Sequence, residues 1–247
     1  MPPTKKQLGK KILPPDEPAP SFEGFDDATF KFLHGLKRHN KKEWFEAHRD
    51  EYDFSLRNPM KALVLAMAAV FDDLDMPVEA SLKRSLFRIN RDIRFSKDKS
   101  PYKTHIGVSF PIVGTAKEEW CGFYMGFEPQ GAKGINVFIG GGVYQPMPPQ
   151  LKRIRERISG DYKKFSKLIT DKSFVKEFPK GIEGGASLKR MPKGYDESNP
   201  AAHYLKMKQF LFGADLTEKD LRNEDLPQLL GRKFKAALPV AMFLGGK

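Results

Sequence analysis

The residues best suited to chemistry lie in one short stretch, Phe87–Lys103, where cations alternate with apolar side chains before a turn. Arginine side chains hold phosphate or carboxylate oxygens through paired hydrogen bonds, so Arg88 and Arg94 are candidates to grip an anion. The lysines on the turn would raise the local concentration of anions. The candidate ligand-binding residues of this stretch are Arg88, Asn90, Arg91, Asp92, Arg94, Lys97, Lys99 and Lys103.

Four further candidates, His105, Trp120, Tyr124 and Asn136, fall on the strands predicted to follow. The alternation of side chains puts them on a polar face of the sheet, opposite a face of aliphatic and aromatic residues. Trp120 and Tyr124 would stack on a ring, while His105 and Asn136 would read polar edges of the ligand. Glycines lie between them, which indicates that a ligand or a helix approaches the backbone closely.

Three functions are compatible with this pattern. The first is a binding module, or an enzyme of unidentified reaction, that recognises a phosphorylated ligand or nucleic acid through the polar face. The second is a structural or adaptor protein whose own helices cover that face and in which Arg88 pairs with Asp92. The third is a metal-assisted hydrolase using Asp92 or Asp98, although neighbouring cations would lower the pKa of both carboxyl groups rather than raise it towards neutrality.

Two details leave alternatives open. Strict alternation puts Arg91 on the apolar face, so that either a β-bulge re-aims it, which we favour, or a carboxylate pairs with it in the core.

The run Gly140-Gly141-Gly142 precedes a basic helix and invites interpretation as a phosphate loop. It lacks the Gly-Lys-Ser/Thr sequence of such loops, and prolines without N–H donors follow, so a tight strand exit is the preferred interpretation.

Composition narrows the class of protein. The formal charge of +12 and the pI near 9.6 predict an acidic partner, either nucleic acid or a phosphorylated small molecule. The excess is local, since residues 81–105 carry eight Lys or Arg against two acids. A single cysteine, Cys121, excludes an internal disulfide, and the histidines lack metal-binding spacing, so neither a metal nor a cofactor is expected.

The N-terminal sequence lacks the apolar core of a signal peptide, and no run approaches 18 apolar residues. We therefore expect a cytoplasmic protein with no membrane partner. Residues 1–21 are rich in lysine and proline and are predicted to form a flexible basic arm, followed by one domain over residues 22–247.

The periodicity predicts an α+β fold with N-terminal helices, a four-stranded, mostly antiparallel sheet and C-terminal helices in a single domain. Asp26 or Asp27 is positioned to cap the first helix, a capping box from Asn40 to Glu43 opens the second, and Pro59 starts the third. The predicted strands are Leu86–Phe95, Thr104–Pro111, Glu119–Phe127 and Gly134–Gly140.

Five segments form a recognisable set: Leu36–His48, Phe87–Lys103, Gly140–Pro146, Pro192–Tyr195 and the pair Asn199-Pro200. Together they resemble the family known as domain of unknown function 2461. The resemblance covers most of the chain after residue 22 and implies a single domain of mixed helices and sheet. It implies no particular activity, cofactor or catalytic residue.

Overall fold

The computed structural model describes residues 21–94, 97–115, 119–185 and 187–247 of the 247-residue chain. The predicted arm lies outside these residues, apart from its last position, so its flexibility stays a prediction. Phe22 is already part of the core, with its ring centroid 5.4 Å from that of Phe25.

The arrangement of elements confirms the predicted α+β class. In chain order they are α1 (Asp27–Arg38), α2 (Lys42–Ala47), α3 (Arg49–Tyr52), a π-helical turn (Asp53–Arg57), α4 (Asn58–Asp73), α5 (Leu82–Ser85), β1 (Ile106–Pro111), β2 (Gly122–Gln130), β3 (Gly134–Val143), α6 (Pro148–Gly160), α7 (Tyr162–Ile169), α8 (Lys172–Glu177), α9 (Ala202–Leu205), β4 (Phe210–Leu216), α10 (Glu218–Leu221) and α11 (Leu226–Gly245).

The predicted start signals of the first two helices have opposite outcomes. The Asp26 carboxylate accepts a hydrogen bond from the Thr29 backbone N–H at 2.9 Å, so the predicted cap of α1 is confirmed. The predicted capping box of α2 is wrong, because α2 begins after Lys41 without a side-chain cap. The Asn40 side chain instead bonds the backbone of Tyr102, which lies 62 residues further along the chain.

The sheet is antiparallel with the strand order β1-β2-β3-β4. Three of the predicted strands are present, but the predicted strand Leu86–Phe95 is wrong. Its described residues make only isolated bridges, Leu86 to Val108 and Asn90 to Tyr102, because residues 89–91 bond residues 101–103 of their own loop. The fourth position is taken by β4, which pairs with β3 from Val137 to Val143.

One face of the sheet forms the core, as the alternation predicted. Phe110 and Phe123 are fully buried there, and Phe234 of α11 packs against both, with ring centroids 6.3 and 4.7 Å away. Phe71 of α4 covers Phe110 edge-on at 5.3 Å. Helices α4 and α11 therefore cover the apolar face, and the polar face is left to loops and side chains.

The glycines in the strands are explained by close contacts within the sheet, and not by the approach of a ligand or a helix that their clustering indicated. Gly140, Gly141 and Gly142 lie inside β3, not at its exit, and each faces the backbone or a ring of its own sheet. A β-carbon on Gly140 would overlap the carbonyl oxygen of Phe212 in the next strand. A β-carbon on Gly107 would overlap the hydroxyl of Tyr124. Close approach of strands and of Tyr124 explains these glycines.

One continuous helical stretch, Arg49–Asp73, is long and apolar enough to cross a membrane by length and composition alone. Of its most apolar window, 44% is buried inside the fold, including Leu63, Val64 and Met67. Core helices pass the same test, so a single such helix is weak grounds for a membrane span, and the protein is not clearly a membrane protein.

Candidate functional site

A half-open cleft of about 860 Å³ lies between the N-terminal helices and the loop that precedes β1. Helices α2, α3 and α4 with the π-helical turn form one wall, and residues 82–90 and 101–107 form the other. Seven cations line it: Lys42, Arg49, Arg57, Lys61, Lys83, Arg88 and Lys103. Glu46 is the one carboxylate among the lining residues. The cleft is therefore strongly positive.

Two of the cations are neutralised locally. Arg49 pairs with Glu46 at 2.8 Å, and Arg57 pairs with Asp53 at 3.1 Å. The remaining five form no ion pair with any carboxylate in the part of the chain that the structure describes; they are Lys42, Lys61, Lys83, Arg88 and Lys103. The cleft thus contains a group of cations that are not directly paired, and Glu46, Asp53 and Asp92 act on Lys42, Lys61 and Arg88 only from a longer distance.

The electrostatics of the two half-buried lysines reflect this imbalance. Burial lowers the pKa of Lys103, and the positive charges of Arg88 and Arg91 lower it further. Burial also lowers the pKa of Lys61, with Arg57 adding to the effect and Asp53 opposing it. Both lysines lie near like charge in a partly desolvated setting, which an anion in the cleft would relieve.

The loop wall of the cleft is fastened to the helices by Asn40. Its side-chain amide donates to the Tyr102 carbonyl at 2.9 Å, and its side-chain oxygen accepts from the Tyr102 N–H at 3.0 Å. The Tyr102 ring stacks on Phe45 of α2 at 4.1 Å, and Ile89 is buried beside the same cluster. These contacts hold Arg88 and Lys103 opposite the cations of the helices.

The π-helical turn shapes the helical wall. In a regular α-helix, positions four apart drift by about 40° around the axis, so 12 residues would carry Lys61 about 120° from Arg49. The wider π turn holds more residues per turn, so each of its residues rotates the chain by a smaller angle, and the rotation between Arg49 and Lys61 is smaller than 120°. The Ser55 carbonyl in this turn accepts a hydrogen bond from the buried hydroxyl of Thr29 in α1. Arg49, Arg57 and Lys61 consequently reach the same cleft.

An aromatic cluster continues from the loop end of the cleft onto the polar face of the sheet. His105 lines the cleft, and its Nε2 lies 2.5 Å from the Tyr124 hydroxyl. Phe138 stacks on both rings, with centroids 5.2 Å from His105 and 5.5 Å from Tyr124. Phe87, which also lines the cleft, lies 6.2 Å from Tyr124 and is 53% exposed. A flat, partly exposed aromatic surface therefore adjoins the cations.

The setting of His105 lowers its pKa below the ordinary value. Burial lowers its pKa, the carboxylate of Glu128 at 3.8 Å opposes that shift, and Lys103 adds to it. Burial likewise raises the pKa of Tyr124, so its hydroxyl keeps its proton. The pair is suited to exchanging hydrogen bonds with a ligand or with each other.

The sequence-predicted site residues separate into two groups. Arg88, Asn90, Lys103 and His105 line the cleft, and Tyr124 adjoins them through His105. The others lie outside the cleft lining; they are Arg91, Asp92, Arg94, Lys97, Lys99, Trp120 and Asn136.

Most members of the second group are engaged at the tip of the loop. Arg91 pairs with the carboxylate of Asp98, and because the segment is not a strand, the proposed β-bulge is absent from the described residues there. Asp92 pairs with Arg94 at 2.7 Å rather than with Arg88. Lys97 is exposed, and Lys99 donates to the Ile93 carbonyl at 2.9 Å. Elsewhere, Trp120 is half-buried just before β2, and Asn136 is half-buried on β3 beside Glu128.

The carboxylates considered for hydrolysis have local partners. A hydrogen bond from Arg94 lowers the pKa of Asp92, and hydrogen bonds from Ser100 lower the pKa of Asp98, with Arg91 contributing. Across the described ranges, no group of three or more His, Cys, Asp or Glu side chains is placed to hold a metal ion.

Sequence reasoning missed the cations of the helical wall, namely Lys42, Arg49, Arg57 and Lys61, and also Lys83 on the opposite wall. A signal was available, because charged residues recur at 42, 46, 49, 53, 57 and 61, which is close to helical spacing. Such stripes are common on solvated helices, and only the folded chain brings this one opposite Arg88 and Lys103.

Comparison with known proteins gives a family and no activity. The family model described as conserved hypothetical protein (DUF2461) matches residues 28–243, which is most of the chain. Neither the curated proteins nor the solved structures contain a significant match.

Proposed function

We propose that this chain, which belongs to the DUF2461 family of conserved hypothetical proteins, binds a ligand carrying several phosphate groups in its basic cleft. One observation carries the proposal: five cations that form no ion pair with a carboxylate among the described residues line the same cleft. Like charges crowded in a cleft destabilise the folded state through their repulsion, and a bound anion would relieve that repulsion.

The two walls would share the ligand. Arg88 can hold a phosphate through two hydrogen bonds, and Lys103 beside it supplies a point charge. Lys61 and Lys42 face them from the helices. Each charge-assisted hydrogen bond contributes about 1.5–3 kcal/mol, so the loss of one cation should weaken binding roughly tenfold or more.

The volume of the cleft fits this class of ligand. Sites for small molecules measure about 300–1,000 Å³, and this cleft of about 860 Å³ lies within that range. Asn90 and His105 at the loop end would contact the polar part of the ligand that follows its phosphates. A cytoplasmic location belongs to the same proposal, supported by Cys121, a buried free thiol of the kind that reducing compartments preserve.

Isothermal titration calorimetry with inorganic tripolyphosphate at low salt tests the proposal. The variant Arg88→Gln/Lys103→Met removes two cleft charges and keeps side-chain length, and we expect at least a tenfold loss of affinity. The matched control, Lys133→Ala/Lys219→Ala, removes two exposed charges that do not line the cleft, and it should bind within twofold of the wild type.

The proposal is refuted if the wild type does not bind tripolyphosphate, or if the two double variants lose equal affinity. In the second case the net charge of the chain, and not the cleft, would be responsible. Circular dichroism spectra of both variants establish that neither change unfolds the protein.

A further inference from the structure

We infer that the phosphate-bearing ligand is a single-stranded nucleic acid, with its backbone along the helical wall of the cleft and a base stacked on Phe87. This inference rests on the proposed function and narrows the class of ligand. Its two supports are the length of the cation row and the exposed aromatic surface beside it.

The cation row is longer than a mononucleotide needs. Arg49, which also pairs with Glu46, and Lys61 line the cleft from the same continuous helical stretch and lie 12 residues apart, which corresponds to about 18 Å at 1.5 Å per residue. Phosphates along one strand of duplex DNA repeat about every 3.4 Å of axis and are further apart in an extended single strand, so several consecutive phosphates can lie along this row. The triphosphate of one nucleotide would occupy only part of it.

Phe87 supplies the second support. It is 53% exposed although it is large and apolar, and it lines the cleft beside the cations. Lys103 Nζ lies 5.7 Å from the centroid of its ring, and the Tyr124 ring lies 6.2 Å from it at an angle of 44°. Proteins that bind single strands combine a basic groove with aromatic side chains on which bases stack.

The same geometry favours a single strand over a duplex. Stacking on Phe87 requires an unpaired base, whereas the faces of duplex bases are already stacked on one another. The helices and the loop make a half-open cleft, which a single strand can enter.

Fluorescence anisotropy with a labelled 12-residue oligo(dT) tests the inference, with unlabelled thymidine triphosphate, tripolyphosphate and a 12-base-pair duplex as competitors. We expect the oligonucleotide to bind at least tenfold more tightly than thymidine triphosphate. The logarithm of its affinity should fall with the logarithm of salt concentration with a slope of about −2 or steeper, since at least three phosphates are neutralised.

Phe87→Leu separates stacking from charge. It keeps an apolar side chain and removes the ring, and because Phe87 is exposed, folding should be unaffected. We expect at least a fivefold loss of oligo(dT) affinity and a tripolyphosphate affinity within twofold of the wild type.

The failures of the two proposals are distinguishable. If tripolyphosphate binds but thymidine triphosphate equals the oligonucleotide, if the duplex binds more tightly than the single strand, or if Phe87→Leu changes nothing, the inference is refuted and the proposed function stands. If tripolyphosphate does not bind to the wild type, the proposed function is refuted, and the inference with it.

Discussion

Replacing Gly141 with alanine should destabilise the protein strongly, because the methyl group has no space. The added β-carbon would lie 2.6 Å from the Phe212 ring, 2.7 Å from the Gly122 carbonyl oxygen and 2.9 Å from the Phe123 ring. Both rings are buried and one contact is backbone, so no flexible side chain can move aside. Overpacked core positions cost about 1–3 kcal/mol, and three simultaneous overlaps place this one near 3 kcal/mol.

The matched control is Gly160→Ala at the end of α6, where an added β-carbon has nothing within 4 Å. Alanine is the better helix former by up to about 1 kcal/mol, so this variant should be neutral or stabilised. In urea denaturation followed by circular dichroism, a slope near 3 kcal/mol per molar puts the Gly141→Ala midpoint about 1 M below the wild type.

A Gly141→Ala midpoint within 0.2 M (roughly 0.6 kcal/mol at that slope) of the wild type would refute the packing argument. The glycine run would then need another explanation, and the phosphate-loop interpretation, which the sequence did not favour, would have to be tested. If Gly141→Ala unfolds more easily while the tripolyphosphate affinity of its folded form stays unchanged, the run serves the sheet and not the ligand.

Two further outcomes follow from the cleft. Asn40→Ala removes both hydrogen bonds to the buried Tyr102 backbone, so its free energy of unfolding in urea should fall by about 2 kcal/mol. The control Asn58→Ala changes an exposed residue without a side-chain hydrogen bond among the described residues, and its free energy of unfolding should stay within about 0.5 kcal/mol of the wild type. Equal effects of the two variants would contradict the fastening role of Asn40. Lys103→Met should raise the pKa of His105 in an NMR titration, because Lys103 is one of the charges that lower it. The pKa of His105 in the folded state lies below its unfolded value of about 6.5, so the stability of the protein falls as the pH drops below that value. The Lys103→Met variant should lose less stability over the same pH range. A His105 pKa that is unchanged or lower in the variant would refute the coupling.

The elements that were predicted correctly are those whose determining residues lie close together in the sequence. Asp26 caps α1 three residues before its bonded N–H, and the side chains of β2 alternate between core and polar face over consecutive positions. The strand β4 was missed because its partner β3 ends at Val143, 67 residues before Phe210, and its own sequence is interrupted by Gly213. Pairing across such a distance leaves no local pattern.

The candidate site was predicted in part for the same reason. Arg88, Asn90, Lys103 and His105 were found because their charges and polar groups cluster in the sequence, and they line the cleft. The predicted strand that was to carry Arg88 and Asn90 is a loop, since local alternation cannot specify which partner an extended segment bonds. The opposite wall begins more than 40 residues earlier at Lys42, and only folding brings it there.

The π-helical turn also fixes the number of residues that this segment can have. Each residue turns an α-helix by about 100°, so deleting one position between Arg49 and Lys61 would rotate everything on one side of the deletion relative to the other. Either the cations would leave the cleft, or Met60, Leu63 and Met67 would leave the core. The segment can therefore tolerate amino-acid substitutions but not a change in its number of residues. Insertions or deletions within residues 49–61 are expected to be absent from functional variants of this fold.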